Sequence, residues 1–92
     1  MSEVVTDRAA LRRFELDLGG SIAFIDYHRD AGTLYLDHAE VPAALRGRGA
    51  GARLVKATLD LIRERGERVV PVCPFVRAFM QRHPEYAELR AP

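Results

Sequence analysis

The residues best suited to chemistry lie in one stretch rich in glycine and arginine, Val41-Pro42-Ala43-Ala44-Leu45-Arg46-Gly47-Arg48-Gly49-Ala50-Gly51. A strand-like pattern precedes this stretch and a helix-like pattern follows it. The first backbone N–H groups of a helix have no internal acceptor, and the helix dipole makes that end partly positive. Glycine lets a ligand approach the backbone, and arginine adds positive charge. The stretch is therefore predicted to bind a phosphate or a diphosphate.

A basic, flexible helix entry would carry the same residue types without any ligand. Glycine loses more conformational freedom on folding than any other residue, so three of them weaken a small domain. A loop without a function would not need all three, which favours the anion site. Arg53, one turn into the helix, is a weaker candidate for contacting the same anion.

Cys73 is the single cysteine and stands directly before Pro74, where a helix is predicted to begin. A position just before a helix favours the reactive thiolate form of a cysteine. A free cysteine at the end of a strand also behaves as a small apolar residue. The sequence therefore supports two roles for Cys73 equally. It is either a nucleophile or a passive residue in the wall of a ligand slot.

The elements that position these residues follow from the hydrophobic pattern. Residues 14–18, 22–28 and 33–41 alternate between apolar and polar side chains and are predicted to be three strands. Turn signals separate them at Gly19-Gly20 and at 29–32, so the three strands form an antiparallel meander.

The hydrophobic period then changes to that of a helix over residues 52–66, with the pattern starting at Ala50. Its apolar arc is formed by Leu54, Val55, Thr58, Leu59, Leu61 and Ile62. Gly66 is expected to end the helix in the left-handed conformation. Residues 68–73 follow as a fourth strand that is apolar on both faces, as in a parallel pair covered by helices.

Two prolines bound the last part of the chain. Pro71 cannot donate to a sheet ladder, so it indicates an edge or a gap in the sheet. Pro74 occupies the first position of a second helix, where a missing N–H does no harm. The apolar stripe of that helix is predicted to be Phe75, Val76, Phe79 and Met80, and His83-Pro84 ends it.

Length and composition limit the classes of protein. The 92 residues are predicted to form a single domain over 1–92, with a core of about 11–89. The apolar fraction of 48% and the charged fraction of 29% are typical of a soluble globular protein. A net charge of +1 argues against a nucleic-acid partner. The longest apolar run, 69–76, is too short to cross a membrane, no secretory leader is evident, and a cytoplasmic location is expected.

The motif Arg46-x-x-Gly49-x-Gly51 after Val41 resembles the coenzyme A loop of the GCN5-related N-acetyltransferases. The tail Cys73-Pro-Phe-Val…His83-Pro-Glu-Tyr86 resembles a minimal, single-domain branch of that superfamily. The likeness covers about residues 14–89. It implies a small α+β fold, in which an antiparallel meander is followed by a β-α-β crossover and a C-terminal helix.

The resemblance also implies the function of an acyltransferase that moves acetyl from acetyl-CoA to a primary amine of a small molecule or a protein lysine. The implied CoA-binding residues are Val41, Arg46, Gly47, Arg48, Gly49, Ala50 and Gly51. The pantetheine arm is expected between the third and fourth strands, which splay apart. Cys73 lies where this branch carries a cysteine viewed as a candidate catalytic residue. No metal is implied.

A base is needed because only a neutral amine attacks a thioester. His38 and Glu40 are weak candidates, since they share the face of Leu34 and Leu36 unless a bulge intervenes. A polar strand end beside a bulge explains them equally simply. His28, at a hairpin tip, is expected to be solvated surface.

Two departures from the larger members of the superfamily affect the prediction. Those members place a tyrosine that protonates the leaving thiolate where this chain has Phe79. They also carry a pair of helices after the first strand, where this chain turns at Gly19-Gly20. The acceptor groove is therefore expected to be shallow and open. The alternative function is a non-catalytic module that binds acetyl-CoA or CoA, and the expected assembly is a monomer or a weak homodimer.

Overall fold

The computed structural model describes residues 4–92. Its strands are β1 Thr6–Arg8, β2 Arg13–Leu18, β3 Ser21–Asp30, β4 Thr33–Glu40 and β5 Arg68–Pro71. Its helices are α1 Ala50–Glu64 and α2 Pro74–Arg82, and short 3-10 helices span Ala9–Leu11, Ala43–Leu45 and Pro84–Leu89. The strands form one sheet in the order β1-β2-β3-β4-β5. All neighbours are antiparallel except β4 and β5, which are parallel. The predicted α+β meander and crossover are confirmed.

β1 is the strand that the hydrophobic pattern does not indicate. It has three residues and pairs with β2, with Asp7 opposite Phe14. The Asp7 carboxylate accepts hydrogen bonds from the Tyr27 hydroxyl at 2.6 Å and from Arg65 at 2.8 Å. Polar contacts from distant parts of the chain hold this strand, and such contacts leave no periodic signal in the sequence. Val5, just before β1, also joins the core.

A tight hairpin joins β2 directly to β3, so no helices lie between these two strands. Gly19 and Gly20 both have positive φ, at 71° and 92°. A two-residue loop with positive φ at both positions matches the twist of the flanking strands. The Asp17 carboxylate accepts a hydrogen bond from the Gly20 N–H at 2.8 Å and stabilises the turn.

Within residues 4–92, the helices cover one face of the sheet. The fully buried strand residues on this covered face are Phe14, Leu16, Ala23, Ile25, Leu34 and Leu36. They form one cluster with the buried side chains of α1 and α2. The opposite face, called here the open face, carries half-buried or exposed side chains, among them Glu15, Phe24, Asp26, His28 and Tyr35. This asymmetry follows from the two-residue alternation of each strand.

β4 changes its pairing half-way along. A bulge at Asp37 interrupts the register with β3, because Asp26 pairs with His38 while Tyr27 pairs with Leu36. Pairing with β5 ends at Leu36 opposite Pro71. The Leu36 carbonyl accepts a last hydrogen bond from the Cys73 N–H at 2.9 Å. Beyond this point β4 and the chain after β5 separate, as predicted for the third and fourth strands. We call this place the split.

The two helices follow the predicted pattern with one exception. The buried residues of α1 include Leu54, Val55, Leu59 and Ile62, and Gly66 lies beyond its end with φ of 70°. In α2, Val76, Phe79 and Met80 are buried, but Phe75 is 44% exposed. The prediction that Phe75 joins the core is wrong. No helix within residues 4–92 is both long and apolar enough to span a membrane.

Candidate functional site

A cleft of about 580 Å³ lies at the N-terminal end of α1, on the side of the helices. Its volume falls within the usual range for a small-molecule pocket. One wall is the end of β4 and the following loop, the second is the first turn of α1, and the third is one stripe of α2. The lining residues are Val41, Leu45, Arg46, Gly47, Gly49, Ala50, Gly51, Ala52, Phe75, Phe79, Arg82 and His83.

The α1 wall presents backbone donors to the cleft. Gly49 caps the helix in the left-handed conformation and supplies no side-chain hydrogen bond. The first intrahelical hydrogen bond runs from the Arg53 N–H to the Gly49 carbonyl at 3.0 Å. The N–H groups of Ala50, Gly51 and Ala52 precede it and belong to the unpaired first turn. The first turn also contains no acidic residue that would compete for an anion.

The three glycines of the loop fall into two kinds, two with positive φ and one that lies against an aromatic ring. Gly47 and Gly49 have φ of 80° and 73°, which other residues adopt only with strain. Gly51 has ordinary helical geometry, but a Cβ there would lie 2.7 Å from Cζ of Phe75. The Phe75 ring therefore packs directly on the first turn of α1, and this contact explains why Phe75 leaves the core.

The two arginines of the motif point to different places. Arg46 lines the cleft and donates a hydrogen bond from Nε to the Val41 carbonyl at 3.2 Å, which ties the loop to the end of β4. Arg48 does not line the cleft. It lies at a second hollow, together with Arg53, Asp17 and Gly19 from the first hairpin.

The α2 wall combines aromatic and basic side chains. Phe79 is 5% exposed and stacks on His83, with ring centroids 4.1 Å apart. Arg82 and His83 bring their side chains to the cleft from the end of the helix. Phe79 occupies the cleft where the larger relatives are expected to carry a tyrosine, so this position supplies no proton.

The Tyr86 hydroxyl is engaged elsewhere. It donates a hydrogen bond to Asp60 of α1 at 2.6 Å, and Lys56 donates to the same carboxylate at 2.9 Å. Burial opposes ionisation of Asp60, but the hydrogen bonds from Tyr86 and Lys56 outweigh it, and the pKa of Asp60 is lowered. Burial and the bond to Asp60 raise the pKa of Tyr86. This arrangement docks the last 3-10 helix on α1 and leaves Tyr86 outside the cleft chemistry.

Cys73 lies at the split and is 5% exposed. It precedes α2 as predicted, with Pro74 at the first helical position, and makes no side-chain capping hydrogen bond. Its side chain does not line the cleft, from which it is separated along the chain by Phe75.

His38 and Glu40 lie on the open face. The bulge at Asp37 inverts the alternation, so that Ala39 and Val41 pack against the core while His38 and Glu40 are exposed. Neither residue shares the face of Leu34 and Leu36, and neither lines the cleft. The side chains brought together in the cleft are therefore those of the loop and of α2, and the base candidates lie on the other side of the sheet.

Residues 4–92 hold no group of three or more His, Cys, Asp or Glu arranged to bind a metal ion. The chemical features of the cleft are unpaired N–H donors, basic side chains and an aromatic wall. These fit a long anionic ligand with an apolar section, and coenzyme A has this character.

A family model for GCN5-related N-acetyl-transferases matches residues 13–89. The chain belongs to the GCN5-related N-acetyltransferase family. The match takes in β2 through the last 3-10 helix, and so includes the whole cleft and the split.

Relatives of known sequence and structure agree with this placement. Protein NATD1 of Bos taurus is 39% identical over 62% of this chain and 52% of its own length, and Protein NATD1 of Danio rerio is 32% identical over 84% and 74%. The matched region thus spans about half of the bovine protein. A GCN5-like protein from Staphylococcus aureus, solved by NMR, has a TM-score of 0.70 at 24% identity, covering 99% of this chain and 91% of that one. That structure supports the fold.

Four residues line the cleft that are not among the predicted site residues, namely Leu45, Ala52, Arg82 and His83. Phe75, Phe79 and Arg82 of α2 and the following residue His83 line the cleft, at positions i, i+4, i+7 and i+8. This spacing was available in the sequence. Phe79 also has the spacing of a core residue, so this spacing alone does not distinguish a cleft wall from the core.

Proposed function

We propose that this chain transfers acetyl from acetyl-CoA to a primary amine of a small molecule or a protein lysine. The observation that carries the proposal is the cleft at the first turn of α1. Its unpaired N–H groups lie beside Arg46, and Val41 at the end of β4 borders the same cleft.

The diphosphate of acetyl-CoA binds at the loop. The unpaired amides of Ala50, Gly51 and Ala52 donate hydrogen bonds to its oxygens, and the positive end of the helix dipole favours its charge. Arg46 adds a cation while its Nε holds the loop to Val41. Arg82 and His83 supply further polar groups on the facing wall.

The pantetheine arm runs from the loop towards the split. Among the described residues, β5 pairs with β4 only as far as Leu36, so the backbone groups of β4 from Asp37 onward can pair with the amides of the arm. Pro71 ends β5 at the last pair, and a residue without an N–H fits a ladder that stops there. The thioester then lies near the split, beside the end of β4.

The simplest chemistry is direct attack of the acceptor nitrogen on the thioester carbonyl carbon. A backbone N–H near Val41 polarises that carbonyl and stabilises the negative charge that develops on its oxygen. Holding both reactants in one site supplies much of the remaining rate.

A second mechanism passes the acetyl group through Cys73. Its position at the split is compatible with this route, but its 5% exposure makes it less accessible than a typical nucleophile. Rapid quench with labelled acetyl-CoA and no acceptor separates the two mechanisms. A labelled Cys73 supports the covalent route, and an unlabelled one supports direct attack.

Thermal unfolding with and without acetyl-CoA tests the proposal. A ligand at about 100 times its Kd adds about 2.7 kcal/mol to the free energy of unfolding. Ala52→Glu places a negative charge beside the diphosphate, where it is also favourable to the free helix. We expect this variant to fold normally and to lose the response to acetyl-CoA.

Ala52→Gln is the matched control, because it has nearly the same size and no charge. It should keep most of the response. An unchanged response in Ala52→Glu would place the ligand elsewhere and overturn the proposal. Tight binding without transfer to any amine would instead favour a non-catalytic acetyl-CoA module, which Phe79 in place of a proton donor also suggests.

A further inference from the structure

The open face carries a histidine and carboxylate pair that the cleft does not explain. His28 on β3 lies directly opposite Tyr35 on β4, and the two rings stack with centroids 4.7 Å apart and an interplanar angle of 10°. Nδ1 of His28 lies 2.7 Å from Oδ2 of Asp37. The ring is therefore held from two sides while 46% of the side chain stays exposed.

The pair joins diagonal neighbours on adjacent strands, next to the bulge in β4. Asp37 follows Tyr35 on the open face by regular alternation and reaches His28, which lies opposite Tyr35 on the neighbouring strand. The same bulge turns His38 and Glu40 to the open face. A simple count along the strand places His38 and Glu40 on the covered face, whereas Asp37 keeps the face of Tyr35 with or without the bulge.

The pair lies next to the split. Leu36 is the last residue of β4 paired with β5, and its carbonyl accepts the hydrogen bond from Cys73. Asp37 follows at once. The cleft lies on the helix side of the sheet, and Val41, which lines it, is four residues beyond Asp37. A molecule on the open face meets the same split from the other side.

The hydrogen bond sets the form of the imidazole. An ionised carboxylate can only accept, so Nδ1 of His28 carries the hydrogen and donates it to Asp37. In the neutral ring Nε2 then holds a lone pair. An imidazole in this state, held by a carboxylate and exposed to solvent, is suited to accept a proton.

We infer that His28 is the general base that deprotonates the acceptor amine on the open face, and that Asp37 positions it. The inference rests on the proposed function. The acceptor is a cation before reaction, and the carboxylates of Asp26, Asp37 and Glu40 around the bulge favour a positively charged partner. Asp26 is already paired with Arg13 at 3.3 Å, while Glu40 is exposed.

The proton balance is complete with the two substrates and water. The acceptor ammonium gives one proton to Nε2 of His28 and becomes a neutral amine. Its nitrogen lone pair forms the bond to the acetyl carbonyl carbon, the C–S bond breaks, and sulfur leaves as the CoA thiolate. The second proton passes from the nitrogen to that thiolate, and His28 returns its proton to water.

Initial rates of CoA release with two classes of acceptor test this assignment. Spermidine and a lysine peptide are protonated at neutral pH, whereas methoxyamine is uncharged and needs no base. We expect His28→Gln to lower the rate with the protonated acceptors about 100-fold or more. The rate with methoxyamine and the thermal response to acetyl-CoA should stay close to those of the unaltered protein.

Asp37→Asn is a second variant for the same assay, and we expect it to lower the rate less. Asparagine can place an N–H against Nδ1 and so favours the wrong tautomer of His28, and the loss should again be confined to protonated acceptors. Equal losses with both acceptor classes in both variants would show a structural role and overturn the inference.

His38→Gln separates the two histidines of the open face. If this variant, and not His28→Gln, loses activity towards protonated acceptors, the base is His38 and the inference is overturned. An unaltered protein that binds acetyl-CoA but acetylates neither class would overturn the proposed transferase together with this inference. If the unaltered protein transfers acetyl normally and His28→Gln does so at the same rates, the inference alone is overturned.

Discussion

The covered face and the open face of the sheet share the same strands but differ in what their side chains contact. On the covered face, apolar residues such as Phe14 and Leu34 are fully buried against the helices. On the open face, charged side chains pair with each other or lie over aromatic rings, as Arg13 does over Phe24 at 3.9 Å. The comparison indicates that stability comes mainly from the first face, which leaves the second available for an acceptor.

The largest effect is expected from a cavity on the covered face. Leu34→Ala should lower the free energy of unfolding by about 2 to 5 kcal/mol, because Leu34 is fully buried. Urea denaturation measures the change. Ile22→Ala, on the half-buried opposite face, is the matched control and should cost clearly less. Equal costs would remove the distinction between the two faces.

A smaller effect is expected where the last 3-10 helix meets α1. Tyr86→Phe removes the hydrogen bond to Asp60 and should cost about 1 to 2 kcal/mol. Because the pKa of Asp60 is lowered in the folded state, its contribution is present above the ordinary carboxyl range and is lost as the pH falls. Because the pKa of Tyr86 is raised, its contribution is lost as the pH rises above the ordinary tyrosine value.

Stability measured across pH therefore tests the same contact. Tyr86→Phe should flatten both the acidic and the alkaline decline relative to the unaltered protein. A parallel drop at every pH, with both slopes kept, would mean that the hydrogen bond does not control these two groups.

Substitutions of the loop glycines should change the free energy of unfolding by about 1 kcal/mol or less. They distinguish the strain of a positive φ from the contact with the Phe75 ring. Gly49→Ala places a side chain at positive φ and should cost about 1 kcal/mol. Gly51→Ala should leave stability almost unchanged, since the half-exposed Phe75 ring can move aside. The displaced ring should weaken binding of acetyl-CoA, and the double variant Gly51→Ala/Phe75→Ala should restore it. Calorimetric titration that finds no weakening would contradict the proposed contact.

The smallest effect is expected on the open face. Arg13→Gln removes an ion pair with Asp26 and the cation–π contact with Phe24, and should cost about 0.5 to 1 kcal/mol. A double-mutant cycle with Asp26→Asn isolates the ion pair. If Arg13→Gln costs as much as Leu34→Ala, the open face contributes as much to stability as the covered face.

Much of the covered face could be predicted from the sequence. The alternation in β2 to β4, the helical period of α1 and the positions of Gly66 and Pro74 are local signals, and local physics determines the elements that they indicate. The glycines of the loop were predicted to meet an anion, and the structure places Gly47, Gly49 and Gly51 on one cleft.

The remaining features depend on contacts between distant residues. A bulge adds one residue to one strand, so the placement of His38 and Glu40 depends on the register with β3. β1 is held by Asp7 through Tyr27 and Arg65, which are far apart in sequence. Phe75 has the spacing of a core residue, and only its contact with Gly51 shows that it faces the cleft.

An NMR titration of the labelled protein with acetyl-CoA tests the central claim most directly, because it follows each backbone amide. We expect the largest shifts at Gly47, Gly49, Ala50, Gly51 and Ala52, where the loop and the unpaired donors meet the diphosphate. Smaller shifts should extend along β4 from Asp37 towards Val41. Unchanged amides at the start of α1, with shifts confined to other parts of the chain, would contradict the account.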